Sequence, residues 1–195
     1  YRSDGELAVQ RAQLHLADDA RLEWLPLESI LYNGCRGENH LSFTLAATAE
    51  LMAWDIIALG LPHAGQDFVS GRYVQQIEMP AVWLERGVLD ASDQRLLHSP
   101  LGLAGQRCIA SLFLASGSAL SRQRREQALD SARALIQAHP LQSLAGVTCP
   151  NPQLVVLRVL SAQVEPALDL LKKVWLGWRS ELWGRVAVLP RIWAM

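Results

Sequence analysis

The chain has 195 residues, with 18 Lys and Arg against 19 Asp and Glu, a formal net charge of −1, and 50% hydrophobic residues. This composition excludes a disordered chain, which has few apolar residues and a high net charge. It also argues against a nucleic-acid-binding protein, because such proteins carry a basic excess that displaces counterions from phosphates. The best apolar stretch, 51–61, contains Asp55 and includes Gly60, so the sequence predicts no membrane span.

The cysteine content indicates the redox environment. The three cysteines, Cys35, Cys108 and Cys149, are odd in number, and no two of them have C-x-x-C spacing. A disulfide framework is therefore not expected. The sequence predicts a cytoplasmic protein in a reducing compartment.

The first two thirds of the sequence predict strands. Residues 41–46 and 72–79 alternate apolar and polar side chains, which is the period of a half-buried strand. Further strand candidates are 7–16, 22–31, 51–59, 82–89 and 108–114. Turn residues separate them, and Asn33-Gly34 is the clearest hairpin signal, because both residues tolerate positive φ. Short strands with frequent turns are typical of a β sandwich, barrel or coil.

The last third of the sequence changes character. Residues 121–139 predict a helix, 154–160 a buried strand, and 164–182 an amphipathic helix with apolar residues every three or four positions. The tail, 189–195, is apolar and is predicted to be extended. A mostly β chain that ends in an α-β-α segment, with two or so helices, indicates an α+β fold.

No known catalytic motif is present: the sequence has no G-x-S-x-G elbow, no P-loop and no H-E-x-x-H. Cys35 and His40 could meet across a turn at Gly37 and bind a divalent cation. The favoured interpretation is a loop cysteine beside an exposed histidine. These residues alone leave two alternatives: a scaffold that binds partners, or a hydrolase-type enzyme whose catalytic residues are scattered.

Two carboxylates lie inside apolar segments, Asp55 in Trp-Asp-Ile-Ile and Glu85 in Trp-Leu-Glu-Arg. Burying a carboxylate is costly unless the group is paired or hydrogen-bonded. Asp55 and Glu85 are therefore candidates for lining a polar channel or contacting a cation. The alternative for Glu85 is a position on the solvent face, or a pair with an arginine.

Several segments, in order along the chain, carry a resemblance to a known family. They are Tyr1-Arg2-Ser3, LEWLPLESI at 22–30, LMAWD at 51–55, LGLP at 59–62, the stretch from Gly65 to Arg72, and LPRIW at 189–193. Together they resemble the urease accessory protein UreD family, called UreH in some species. The family has a further N-terminal portion, so residues 1–195 are expected to form a single UreD-like domain without that portion.

The resemblance implies a fold and a function. The expected fold is mostly β, a coiled or helical stack of strands with a couple of helices. UreD proteins are not known as enzymes. They act as chaperones in nickel insertion, binding apo-urease and UreF, and through UreF the GTPase UreG. No tightly bound cofactor is expected.

The resemblance also suggests a role for the two carboxylates. Nickel is thought to pass through the accessory complex, and an interior tunnel in UreD is a possible route. Glu85 and Asp55 are then the candidates for lining it, as points of nickel transit and not as a stable metal site. A metal role for Cys35 and His40 cannot be carried over, because the family more often has small or Arg residues there.

Overall fold

A computed structural model describes residues 1–3, 5–186 and 188–194, without the side chains of His63 and Ala194. Within this part of the chain there are ten strands and three α-helices. The strands are β1 (Ala8–Leu16), β2 (Arg21–Trp24), β3 (Ser29–Leu31), β4 (Cys35–Leu45), β5 (Glu50–Leu59), β6 (Gly71–Met79), β7 (Trp83–Asp90), β8 (Cys108–Ser116), β9 (Ala145–Asn151) and β10 (Leu154–Ser161). The helices are α1 (Gln94–His98), α2 (Arg122–Gln137) and α3 (Val164–Trp183).

The strands form two facing sheets. The first has the order β1-β4-β6-β7, and the second has the order β2-β5-β8-β10-β9, with β3 also paired to β5. From β1 to β6 the chain alternates between the sheets, except that β2 and β3 both lie in the second sheet, and each of these strands is parallel to the neighbour with which it pairs. The chain therefore winds as a coil before it continues in antiparallel strands, which confirms the expected α+β fold with a coiled stack of strands.

The second sheet is covered on both faces, and this explains its most apolar strand. Alternate residues of β5, such as Met52 and Trp54, pack under α2 and α3, while Leu51 and Ala53 face the first sheet. A strand covered on both faces reads as a continuous apolar run and not as an alternating one. The strand predicted at 51–59 is confirmed in this form.

The predicted hairpin at Asn33-Gly34 is wrong. Gly34 does adopt positive φ, at 76°, but the strands on either side of it lie in different sheets. The turn is a corner of the coil. Asn33 Oδ1 accepts hydrogen bonds from the backbone N–H groups of Val69 and Ser70, 3.1 and 2.8 Å away. The Asn33 side chain thus links the corner before β4 to the corner before β6.

The single strand predicted at 22–31 is divided into β2 and β3. Pro26 lies in the break and has no N–H to donate to a ladder. Its carbonyl oxygen instead accepts a hydrogen bond from the indole Nε1 of Trp54, at 2.7 Å. Residues 25–28 thus leave the sheet beside the middle of β5, between the pairs that β2 and β3 make with that strand.

Two glutamates, the partly buried Glu23 and the buried Glu50, hold α3 against the second sheet. Trp175 Nε1 donates to Glu23 on β2 at 2.7 Å, and Trp183 Nε1 donates to Glu50 on β5 at 2.6 Å. Glu50 also accepts hydrogen bonds from both terminal nitrogens of Arg124 on α2. A carboxylate that is buried but bonded in this way fixes the positions of both helices at once.

The rest of the C-terminal region differs from the prediction in one respect. The tail was expected to be extended, but Arg191–Ala194 forms a 3-10 helix. Its Trp193 ring lies 4.7 Å from the ring of Trp54 and 5.3 Å from that of Trp175, between centroids. Packing of this aromatic side chain outweighs the weak local preference of a short tail. None of the described helices is long and apolar enough to cross a membrane.

The Glu50 contacts generate the first prediction. Glu50→Ala should lower the free energy of unfolding by about 2–3 kcal/mol, because it leaves a half-buried guanidinium and a buried indole N–H without their acceptor. The melting temperature should fall by about 5–10 °C for a chain of this size. Glu126→Ala, which breaks an exposed pair with Arg122, is the matched control and should leave the melting temperature nearly unchanged. Equal losses in the two variants would contradict this account of Glu50.

Candidate functional site: a polar layer between the two sheets

A row of amide side chains crosses the first sheet. Gln10 on β1 is the register partner of Asn39 on β4, and Asn39 is the partner of Gln75 on β6. The next partner, on β7, is Gly87. Because register partners in a sheet lie side by side on the same face, the three amides stand at one level.

A second row crosses the opposite sheet. Asp55 on β5 is the register partner of Ser111 on β8, and Ser111 is the partner of Arg158 on β10. Here too the row ends on a glycine of the edge strand, Gly146 on β9. The two rows face one another across the interior, since Asn39 Nδ2 donates to Asp55 Oδ1 at 3.1 Å.

We refer to these six side chains together with Glu85 as the polar layer. It separates two apolar clusters that fill the space between the sheets. The cluster on one side includes Phe43, Leu51, Ala53, Ile77 and Phe113. The cluster on the other side includes Leu31, Cys35, Ile57, Leu59 and Tyr73. The charged groups of the polar layer are tolerated there because they are bonded: Asp55 accepts from Asn39 and Gln75, and Glu85 pairs with Arg158.

Asp55 is the most enclosed charged group of the polar layer, at 8% exposure. Its second oxygen, Oδ2, accepts a hydrogen bond from Gln75 Nε2. The pKa of Asp55 is raised to about 6, chiefly by burial; the negative charge of Glu85 acts in the same direction, while the hydrogen bonds from Gln75 and Asn39 oppose it. Asp55 is thus buried and hydrogen-bonded, while its role in lining a channel or contacting a cation stays a prediction.

Glu85 is placed differently. It lies on β7 at the rim of the interior, and Arg158 Nε donates to its Oε2 at 3.1 Å, with Nη2 bonded to the same oxygen. The Glu85 side chain is 28% exposed. The structure therefore brings Glu85 and Asp55 into one polar layer, but Glu85 is neither fully buried nor unpaired. The pair with an arginine was the alternative raised from the sequence.

A cavity of about 190 Å³ reaches Asp55 from the opposite side. It lies beside the break between β2 and β3 and is lined by residues that include Gln10, Pro26, Glu28 and Asp55. The opening exists because residues 25–28 leave the sheet there. A larger depression, of about 820 Å³ beside Asn33, is not lined by any residue of the polar layer.

The other candidates from the sequence do not assemble. Cys35 is buried in an apolar cluster, whereas His40 bonds to Glu38 and lies on the other face of β4. Within residues 1–3, 5–186 and 188–194, no three His, Cys, Asp or Glu side chains are grouped so as to hold a metal ion. The buried His139 bonds to Asp169 at 3.1 Å and accepts from the Leu141 N–H. Neither of these two His pairs includes a serine or cysteine nucleophile.

Sequence reasoning missed most of the polar layer. Asn39 and Gln75 occupy the apolar phase of their strands: Asn39 precedes Leu41 and Phe43 at spacing two, and Gln75 lies between Tyr73 and Ile77. A polar residue in the buried phase of an alternating strand is the signal that could have identified them. Arg158 stands out in the same way inside the apolar run of β10.

The pKa of Asp55 generates the second prediction. An unfolded Asp has a pKa of about 3.9, so the folded state binds the proton more tightly. Ionisation of Asp55 therefore costs the folded state about 3 kcal/mol, a penalty that is absent below about pH 4 and complete above about pH 6. Asp55→Asn cannot ionise. Its stability relative to the wild type should rise by about 2 kcal/mol between about pH 4.5 and about pH 8.

Urea unfolding at both pH values measures this difference. Ser111→Ala is the matched control, because it changes a polar side chain at the same level of the sheet without altering a titratable group. Its difference from the wild type should be the same at both pH values. A pH-independent difference for Asp55→Asn as well would show that the carboxylate is not enclosed in the way described.

Comparisons with known proteins give the family. The model of the UreD urease accessory protein family matches residues 1–194. A urease accessory protein UreD of Albidiferax ferrireducens is 70% identical over 195 residues, which is 100% of this chain and 71% of the relative. Proteins of the same description in a Polaromonas species and in Methylibium petroleiphilum are 58% and 47% identical, over 100% and 99% of this chain and 71% and 70% of theirs. The chain belongs to the UreD urease accessory protein family.

Proposed function

We propose that this protein is a non-catalytic chaperone of urease maturation. In this role it binds apo-urease and UreF in the cytoplasm, recruits the GTPase UreG through UreF, and supports GTP-dependent insertion of nickel into the urease active site. Family membership supports a role in urease maturation. The chain itself has no P-loop, so in this proposal GTP hydrolysis is left to another subunit.

The observation that carries the nickel part of the proposal is the polar layer. Its residues extend from the cavity that Asp55 lines to Glu85 at the rim of the interior, and apolar clusters flank them on both sides. A charged ion does not enter an apolar interior without compensating polar groups. We therefore assign nickel transit to the polar layer, with Asp55 and Glu85 as its two carboxylates.

The chemistry of the donors favours transit over storage. The polar layer offers carboxylate, amide and hydroxyl oxygens, whereas nickel is held firmly by imidazole and thiolate groups. A conducting site has to bind an ion well enough to admit it and weakly enough to release it. Two carboxylates on facing sheets, without a third anionic ligand among the described residues, meet both requirements. No tightly bound cofactor is proposed.

The third prediction tests nickel transit. Asp55→Asn and Glu85→Gln keep the shape of the side chains but remove their negative charge. Each should lower urease activation several-fold in cells grown at limiting nickel, because the cation then crosses the interior with one compensating charge fewer. Excess nickel should restore part of the activity. The measurement is urease activity per amount of urease protein in cells that carry each variant.

Glu78→Gln is the matched control for this experiment. Glu78 lies on β6, the strand of Gln75, but on its outer face, where it accepts a bond from Gln76. Removing the negative charge of Glu78 should leave urease activation unchanged. Full activation by both Asp55→Asn and Glu85→Gln at limiting nickel would rule out the proposed route.

Partner binding has its own test. The protein should co-purify with UreF, and with UreG only when UreF is present, while urease joins the complex in its metal-free form. Co-expression followed by affinity purification of this chain measures each contact. If the protein instead purified without any of these partners and hydrolysed simple ester or amide substrates, an enzymatic role would replace the proposed one.

A further inference from the structure

The rim of the polar layer is closed by side chains and not by backbone. The row of the first sheet ends at Gly87 on β7, and the row of the second sheet ends at Gly146 on β9. At both glycines the space that a Cβ would occupy is open, without a contacting atom within 4 Å. The two edge strands thus leave a gap at the end of the polar layer, and Glu85 and Arg158 lie across it.

The pair formed by Glu85 and Arg158 is unusual among the ion pairs of the described residues. It is the one that joins a strand of the first sheet to a strand of the second. Arg158 also interrupts an apolar strand, since Leu154, Val156 and Leu157 around it are fully buried. Its guanidinium places a positive charge at the position where a cation leaving the polar layer would meet its last carboxylate.

The geometry of the contact leaves room for exchange. Both bonds from Arg158 go to Oε2 of Glu85, and no donor in the described part of the chain bonds to Oε1. The Arg158 side chain is 45% exposed. A guanidinium at a half-exposed site is held weakly and can rotate into water when another cation binds the carboxylate.

We propose that Arg158 is the gate residue of the polar layer, a resident cation that masks Glu85 until a divalent cation displaces it. This inference rests on the proposed function, because it concerns the exit of the same path. In the closed state the guanidinium neutralises Glu85 and covers the gap at Gly87 and Gly146. In the open state the divalent cation is bound by Glu85, and Arg158 points to solvent. The return of Arg158 then weakens the hold on the cation and favours its release.

The test is a titration of the purified full-length protein, in complex with its accessory partner, with Ni²⁺. Removing the competing charge with Arg158→Gln should tighten Ni²⁺ binding about threefold, the effect of one half-exposed ion pair. In a Glu85→Gln background the same change should have no effect, because the carboxylate for which the two cations compete is absent. Isothermal titration calorimetry or equilibrium dialysis measures the four affinities.

Two further variants complete the design. Arg158→Lys keeps the charge but loses the two-nitrogen contact, so its affinity should lie between those of the wild type and Arg158→Gln. It carries the test if Arg158→Gln does not fold. Arg86→Gln is the matched control, because it removes a neighbouring positive charge from the outer face of β7 and should leave Ni²⁺ affinity unchanged.

The proposal is overturned if folded Arg158→Gln and Arg158→Lys bind Ni²⁺ no more tightly than the wild type, or if the gain persists in the Glu85→Gln background. These outcomes are separable from failure of the proposed function. Unimpaired urease activation by Asp55→Asn and Glu85→Gln would rule out the nickel route, while the titration would still report on the competition at Glu85. If Asp55→Asn and Glu85→Gln impair activation but the Arg158 variants bind Ni²⁺ with the wild-type affinity, the gate is overturned and the nickel route is retained.

Discussion

A carboxylate enclosed between two sheets has to be hydrogen-bonded, and Asp55 is where this constraint acts on the whole molecule. Its two oxygens are bonded by amides from two different strands of the opposite sheet. These bonds require that β4, β5 and β6 keep one relative register, because a slip by one residue would turn every side chain of a strand to its other face. The polar layer thus specifies how the turns of the coil stack, and it does so at a cost in stability that the apolar clusters on both sides offset.

The two faces of β5 lie in different environments. Alternate residues of β5 face the polar layer and the helices, so Asp55 lies between Trp54 and Ile56, whose side chains pack under α2 and α3. The helices are in turn fixed by Glu23 and Glu50 through the indoles of α3. Carboxylates removed wholly or partly from water therefore organise both faces of the second sheet. Amides bond to Asp55 on one face, and indoles and arginines bond to Glu23 and Glu50 on the other.

Sequence patterns predicted where the strands lie in the chain better than which strands pair with each other. Alternation identified β6 and the second half of β4, and an uninterrupted apolar run identified β5, because these signals depend only on which faces of a strand are covered. The first half of β4, with Cys35, was predicted as a turn and loop but is strand. The same patterns cannot give register. Asn33-Gly34 was read as a hairpin because positive φ is common to hairpins and to the corners of a coil, and the decisive bonds to Val69 and Ser70 join residues far apart in the chain.

The candidate site shows the same limit. Asp55 was found because a charge in a buried strand is visible locally. Glu85 was found in the same way, but its partner lies 73 residues further along. The amides of the polar layer were missed, because an Asn or Gln in a strand is unremarkable until the facing carboxylate is known.

The break at Pro26 makes the two ends of the polar layer mechanically unlike. At the end beside β2 and β3 the opening is framed by the path of the main chain, and Pro26 cannot rotate about its N–Cα bond, so the backbone is constrained there. At the other end, rotation of a few side-chain bonds changes the width within nanoseconds or less. If nickel passes along the polar layer as proposed, control over its rate of passage is concentrated at the flexible end, where the Glu85 and Arg158 side chains lie.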